Sequence, residues 1–144
     1  RTKDEFEKGT PPDSIKQAQD AIRWADHLVI FYPLWLGSMP ALLKAFLEQV
    51  FRPGVAFEYR AQGKMAKKLF TGKSARIVVT MGMPALVYRW FFLAHSLKSL
   101  ERNILAFCGI KPTRATLIGQ VEGMNERQRA SWLDEMRGLG DVGK

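Results

Sequence analysis

A chain of 144 residues that is 47% hydrophobic and 25% charged is one domain's length with material for a real core, which excludes an extended disordered polypeptide. No apolar run approaches the ~20 residues of a membrane-spanning helix, and no three-part secretory signal is legible. The net charge of +8 is scattered, without metal-ligand spacing, a helix-turn-helix pattern or an aromatic-interleaved basic motif, which argues against a nucleic-acid binder.

Residues 1–12 (RTKDEFEKGTPP) are polar and end in Gly-Thr-Pro-Pro, a loop or linker signal. Asp13 or Ser14 is placed to cap a helix running to about Trp24 or Ala25, with Ile15, Ala18, Ala21, Ile22 and Ala25 on its buried face. His27 reads as a turn residue before a strand rather than as a ligand. Leu28-Val29-Ile30-Phe31-Tyr32 is a continuous apolar run of the kind found in strands buried on both faces. Pro33 ends it, Gly37-Ser38 lie in the short loop beyond, and Pro40 to Phe51 has helical spacing. Ser38 is expected to cap that helix, Pro40 suits its first turn, and Pro53-Gly54 close it. Ala41, Leu42, Ala45, Phe46, Val50 and Phe51 are expected inside, with Lys44, Glu48, Gln49 and Arg52 on the wetter side. The helix therefore opens at the carboxyl end of a strand, where α/β folds place ligands.

Val55 to Thr71 is a long mixed connection in which Val55, Phe57 and Tyr59 alternate like a short strand and Gly63 and Gly72 punctuate. Lys64, Lys67, Lys68 and Lys73 form a modest basic cluster, read first as a solvated loop, second as a site for nucleotide phosphates, and third as a nucleic-acid contact. Ser74 to Thr80 (SARIVVT) is a second buried strand, followed by the loop Met81-Gly82-Met83-Pro84. Gly82 permits a backbone to approach a ligand closely, and the flanking methionines are either soft ligand contacts or gap fillers. Tyr88, Trp90, Phe91 and Phe92 make an unusually aromatic loop or first turn, suited to a slot for a planar ring, a dimer contact or core. Leu97 to Phe107 reads as an amphipathic helix with Leu97, Leu100, Ile104 and Phe107 on one face and Gly109 as its stop. The single cysteine, Cys108, lies in an apolar stretch; it excludes an internal disulfide, reads as a packing thiol, and suits a reducing, cytoplasmic setting. Thr113 to Ile118 is a third strand whose partial alternation places it nearer the sheet edge, with Gly119 ending it. Asn125 caps a last helix to about Arg137, Gln128, Trp132 and Met136 falling four residues apart, and the glycine-rich tail from Gly138 is expected to fray.

The string Tyr32-Pro33-Leu34-Trp35-Leu36-Gly37-Ser38-Met39-Pro40-Ala41-Leu42-Leu43-Lys44 resembles the flavin-contacting loop of the flavodoxin-like NAD(P)H:quinone reductases. That family also holds the ancillary subunits of potassium-efflux systems and the drug-activity-modulator reductases. The resemblance implies an α/β, three-layer sandwich around a parallel sheet, in which the three strands here would be the third, fourth and fifth of a sheet ordered 2-1-3-4-5. No counterpart of the family's first strand–helix–strand unit is found, so residues 1–144 are expected to form a single flavodoxin-like domain incomplete at its N-terminus. The Leu28–Tyr32 strand would then show an unpaired apolar edge, and the chain alone would fold poorly.

By the same resemblance the complete protein is a flavin-dependent NAD(P)H oxidoreductase that reduces quinone-like acceptors by ping-pong hydride transfer, using FMN or FAD with NADPH or NADH as donor. Pro33, Leu34, Trp35, Leu36 and Gly37 would hold the flavin from one loop and Thr80, Met81, Gly82 and Met83 from another. Thr80 and Gly82 match the family's usual Thr-Thr-Gly-Gly, while Met81 and Met83 depart from it. Tyr88 and His95 are the nearest matches to the pair that positions the quinone and stabilises developing charge. Phe57 and Tyr59 are candidates for aromatic groups approaching the cleft. The family's site often lies at a two-fold interface, so a homodimer through Tyr88–Phe92 is expected. The alternative is a flavin- or nucleotide-binding regulatory subunit attached to a membrane cation-efflux transporter, and a flavin-less interaction domain is a third reading.

Overall fold

The computed structural model describes residues 9–60 and 66–143. In chain order the elements are α1 (Asp13–Trp24), β1 (His27–Pro33), α2 (Ala41–Val50), β2 (Phe57–Glu58), β3 (Lys67–Lys68), β4 (Ser74–Thr80), α3 (Ala85–Trp90) and α4 (His95–Ser99). A π-helical turn (Leu100–Leu105) runs into α5 (Ala106–Cys108), and β5 (Thr113–Ile118), a 3-10 turn (Val121–Gly123) and α6 (Glu126–Asp141) complete the described chain. The strands β1, β4 and β5 form a parallel sheet in the order β1-β4-β5. The three main strands expected from composition are thus present, and the alternation of strand and helix gives the α/β class.

Register and the two-residue period of a strand decide which side chains share a face. Leu28, Ile30 and Tyr32 lie opposite Ala75, Ile77 and Val79, and Ile77 and Val79 lie opposite Ala115 and Leu117. This face carries the main core, against which pack Ile15, Ala18 and Ile22 of α1, Leu43, Leu47 and Val50 of α2, and Leu97, Leu100 and Leu105 behind them. The fully buried ones among them, Val50, Leu100 and Leu105, each contribute about 1.5–3 kcal/mol by leaving water. The other face of β1 differs from the expectation of burial on both sides: Val29 is 52% and Phe31 60% exposed. Among the described residues β1 is an edge strand and nothing covers that face, so its apolar pattern is satisfied on one side only.

Helix α2 turns its faces differently from the simple wheel. Leu43, Leu47 and Val50 point inward, whereas Ala41, Leu42 and Ala45 are exposed and Phe46 is 40% exposed. Both stripes are apolar, so periodicity alone did not choose between them. Its N-cap is Pro40 and no side chain caps it; Ser38 is instead held by backbone bonds to Trp35. Arg52, expected on the wet side, is buried and donates to the Gly9 carbonyl at 2.9 Å and to Gln49. Helix α1 likewise starts after Pro12 without a side-chain cap, Ala21 is exposed, and Gln19 is its buried member, donating to the Gln49 carbonyl at 3.2 Å.

The expected stripe Leu97, Leu100, Ile104, Phe107 breaks at the π turn. A π turn holds one more residue than an α turn, so the face advances by five from Leu100 to Leu105 and then to Cys108. Leu105 is fully buried and Cys108 nearly so, while Phe107 is 40% exposed. Burial pushes the Cys108 thiol up to about 12, which keeps it a neutral packing group.

Of the expected basic cluster, the described lysines stay near the surface and each has a partner. Lys67 pairs with Glu58 at 3.2 Å across the β2–β3 ladder. Lys68 donates to the Ala106 carbonyl at 2.9 Å and Lys73 to the Arg23 carbonyl at 2.7 Å, placing positive charge at the carboxyl ends of two helices. Residues 1–8, Gly63, Lys64 and Lys144 lie outside the described residues. Helix α6 starts with the expected cap: the Gln128 N–H donates to Asn125 Oδ1 at 2.9 Å, and the Gln128 side chain accepts from the Asn125 N–H. It continues through Gly138 and Gly140 to Asp141, beyond the expected stop, because two glycines weaken a nucleated helix without ending it. No described helix is long and apolar enough to cross a membrane.

Candidate functional site

Three loops meet at the carboxyl ends of the parallel strands. The first follows β1. The Leu34 N–H donates to the Thr80 carbonyl at 2.7 Å, and Trp35 and Ser38 exchange two backbone bonds of 2.9 Å. Closing so tight a turn forces the two residues between them to positive φ, 47° at Leu36 and 76° at Gly37. Glycine adopts that geometry without cost, whereas leucine in it is strained by about 1–2 kcal/mol. Leu36 is fully exposed and Trp35 63% exposed. Among the described residues no backbone carbonyl accepts from the Leu36 or Gly37 N–H, and a Cβ added at Gly37 would meet nothing within 4 Å. Two N–H donors without a backbone acceptor thus sit in a strained, exposed turn, a combination that concentrates at ligand sites. Pro33 and Leu34 are half-buried at its base.

The second loop follows β4 and is pinned by the third, which follows β5. The Met81 N–H donates to the Ile118 carbonyl at 2.9 Å; Val121 donates back to the Met81 carbonyl and Gln120 to the Met83 carbonyl, both at 3.2 Å. Met81 is buried, Thr80 and Met83 are half-buried, and Gly82 is exposed. A Cβ at Gly82 would meet only the Glu122 carboxylate, at 3.8 Å, so the residue leaves the loop's outer face open. The closest fit is at Gly119, where an added Cβ would lie 2.4 Å from the Ala85 nitrogen and 2.7 Å from the Met83 oxygen. Sequence reasoning took Gly119 only as the end of a strand; it is the residue that lets the third loop press against the second. The turn beside it, with Gln120 at φ 56°, was also missed.

The corner between α3 and α4 follows the second loop directly. Leu93 and Ala94 both have positive φ, 53° and 48°. Tyr88 holds this corner from inside: its carbonyl accepts from Ala94 at 3.1 Å, its hydroxyl accepts from the Leu97 N–H at 3.2 Å, and it shares a 2.8 Å bond with Ser96 Oγ. Tyr88 is 2% exposed, so its hydroxyl is committed inward, while His95 stands exposed at the start of α4. The two are brought to one corner without a side-chain bond between them. Around them Trp90, Phe91, Phe92, Leu86 and Leu93 are exposed, a large apolar surface of the kind that marks interaction sites. Tyr88→Phe should lower stability by about 1–2 kcal/mol by orphaning the Leu97 N–H. Thermal unfolding reads this, and an unchanged Tm would mean the hydroxyl does not hold the corner.

Beneath the first loop, the Tyr32 hydroxyl is buried and has no hydrogen-bond partner among the described residues. Burial, then the neighbouring Tyr88 and Glu101, push its ionisation far above the usual range, so it remains a neutral phenol. Phe57 and Tyr59 lie elsewhere. Phe57 is core, packed edge-on against Phe107 and Tyr59, and the preceding Ala56 bonds to Leu69 near the start of β4, at the opposite end of the sheet. Among the described residues no group of His, Cys, Asp and Glu is placed to hold a metal.

A family model described as a flavodoxin-like fold matches residues 2–138. An uncharacterised NAD(P)H oxidoreductase of Haemophilus influenzae is 28% identical over 127 residues, covering 88% of this chain and 62% of the relative. The FMN-dependent NADH:quinone oxidoreductase 1 of Hahella chejuensis is 35% identical over 114 residues, covering 71% and 52%. The crystal structure of Smu.1420 from Streptococcus mutans superposes with a TM-score of 0.76 at 30% identity, covering 94% of this chain and 68% of that one. The chain thus spans between half and two thirds of the length of these two curated relatives. With the parallel sheet, the strained loop after β1 and the clamped loops after β4 and β5, this match across nearly the whole chain establishes that it belongs to the flavodoxin-like NAD(P)H:quinone reductase family.

Proposed function

We propose that this chain supplies the flavin-edge half of an FMN-dependent oxidoreductase that takes hydride from NADH or NADPH and passes it to a quinone-like acceptor. The observation that carries the reading is the exposed, strained Leu36–Gly37 turn, whose two N–H groups have no backbone acceptor among the described residues. Bound flavin would supply the hydride chemistry itself, in ping-pong order, and the protein supplies orientation and electrostatics. The N–H groups of Leu36 and Gly37, with the uncapped N-terminus of α2 behind them, favour negative charge developing on the pyrimidine edge of a planar ring. Trp35 and Leu36 wall that ring from water, Pro33 and Leu34 set the turn's base, and Thr80 to Met83 meet the ring's other edge. His95 is the exposed group at the α3–α4 corner available to an acceptor; Tyr88 acts by holding that corner. FMN is preferred because the Hahella chejuensis relative is named for it.

The exposed segment from Trp90 to Leu93 is assigned to a second copy of the chain, since its aromatic area is large and adjoins the site. The test of the function is direct. The purified protein incubated with FMN should show a flavin absorption band that NADH or NADPH bleaches and a quinone restores without any membrane partner. A preparation that stays colourless after incubation with FMN would sink the reading.

A further inference from the structure

A second cavity, whose lining shares no residue with the loops described above, lies along the π turn. It has a volume of about 900 Å³ and opens between the π turn, β3 and the chain entering β5. Three cations from three separate segments line it: Lys68 of β3, Arg102 of the π turn and Lys111 before β5. Glu101, Asn103 and Phe107 complete its working wall. The volume is in the range of small-molecule sites, and an apolar wall with a few convergent polar groups is their usual make-up.

The π turn is the second observation. Glu101, Arg102 and Asn103 all lie inside Leu100–Leu105. A regular α-helix would bury Ile104 rather than Leu105 most deeply and would rotate the rest of the turn relative to the cavity. Such turns are uncommon, weaken helix hydrogen bonding and recur at functional sites.

We propose that this cleft binds a nucleoside phosphate, its phosphate between Lys68, Arg102 and Lys111 and its base against Phe107. Three cations against the Glu101 carboxylate leave +2 on the wall, the complement of a dianionic phosphate monoester. Lys68 spends one N–H on the Ala106 carbonyl, which fixes its ammonium at the rim with two donors left. The Arg102 guanidinium offers a planar fork suited to two phosphate oxygens. Phe107 is 40% exposed, with its other side against Phe57, so a ring face is available to a base. Asn103 donates to Ser99 Oγ at 3.3 Å, which leaves its carbonyl oxygen for a base-edge amino group, and Glu101 can accept from ribose hydroxyls. The site requires nothing of the flavin reading.

The test titrates AMP, adenosine and inorganic phosphate separately into the purified protein loaded stoichiometrically with FMN, by equilibrium dialysis. One AMP per chain is expected, with adenosine and phosphate each at least tenfold weaker. The double variant Arg102→Gln/Lys111→Gln, at two exposed positions, should weaken AMP at least tenfold while flavin content and Tm stay unchanged. If the double variant fails to fold, Lys111→Gln alone should still cost at least threefold. No AMP uptake, equal uptake by the variants, or phosphate binding as tightly as AMP would overturn the proposal, the last by showing a bare anion patch.

Discussion

Gly119→Ala should destabilise the protein by about 3 kcal/mol, at the upper end of the usual cost of overpacking. The added methyl would sit 2.4 Å from one backbone atom and 2.7 Å from another, both belonging to the segment from Met83 to Ala85. Flexible side chains can yield to such a contact; two backbone segments joined by hydrogen bonds from Gln120 and Val121 cannot do so without parting. On a domain of this size the loss corresponds to a fall in Tm of roughly 10 °C. Gly123→Ala is the control, because a Cβ there meets nothing within 4 Å and the residue does not need positive φ. Thermal unfolding of the two variants side by side decides the matter, and equal melting temperatures would show that the second and third loops are not locked through Gly119.

Gly37→Val should weaken FMN binding at least tenfold, or about 1.4 kcal/mol, whereas Trp35→Phe should change it little. Two effects act together in the valine variant. A β-branched residue is strained at φ 76°, and its side chain adds bulk to the exposed turn against which the flavin is proposed to lie. Gly54→Val isolates the strain: Gly54 also has positive φ, at 81°, with nothing within 4 Å, but belongs to the connection after α2. It should lose stability and keep its flavin affinity. Fluorescence titration with FMN separates the three variants. Equal affinity for wild type and Gly37→Val would remove the backbone turn from the binding site.

What could be read in the chain, and what could not, divides along physical lines. The strand Ser74–Thr80 and the capping box at Asn125 are local: a β-branched run and a side chain three residues from its partner need no knowledge of neighbours. The long string from Tyr32 to Lys44 carries its own strand, turn and helix signals, so the strand–turn–helix unit was legible. Gly119 was not, because the reason for a glycine there is the Met83–Ala85 backbone, more than thirty residues away in the chain. Tyr88 was expected to face a ligand; its commitment to Ser96 and Leu97 follows from how the α3–α4 corner folds back on itself.

Composition and spacing by themselves determined the α/β class and the three strands of the parallel sheet. Only the tertiary structure decided which of two apolar stripes of α2 turns inward, that Arg52 is buried, that Lys68 and Lys73 serve helix ends, and that the π turn brings Leu105 and Cys108 fully inside while Phe107 stays exposed. The physical reason is range. Periodicity and capping act over one or two turns of chain, whereas the choice between equally apolar faces is made by the surface that packs against them.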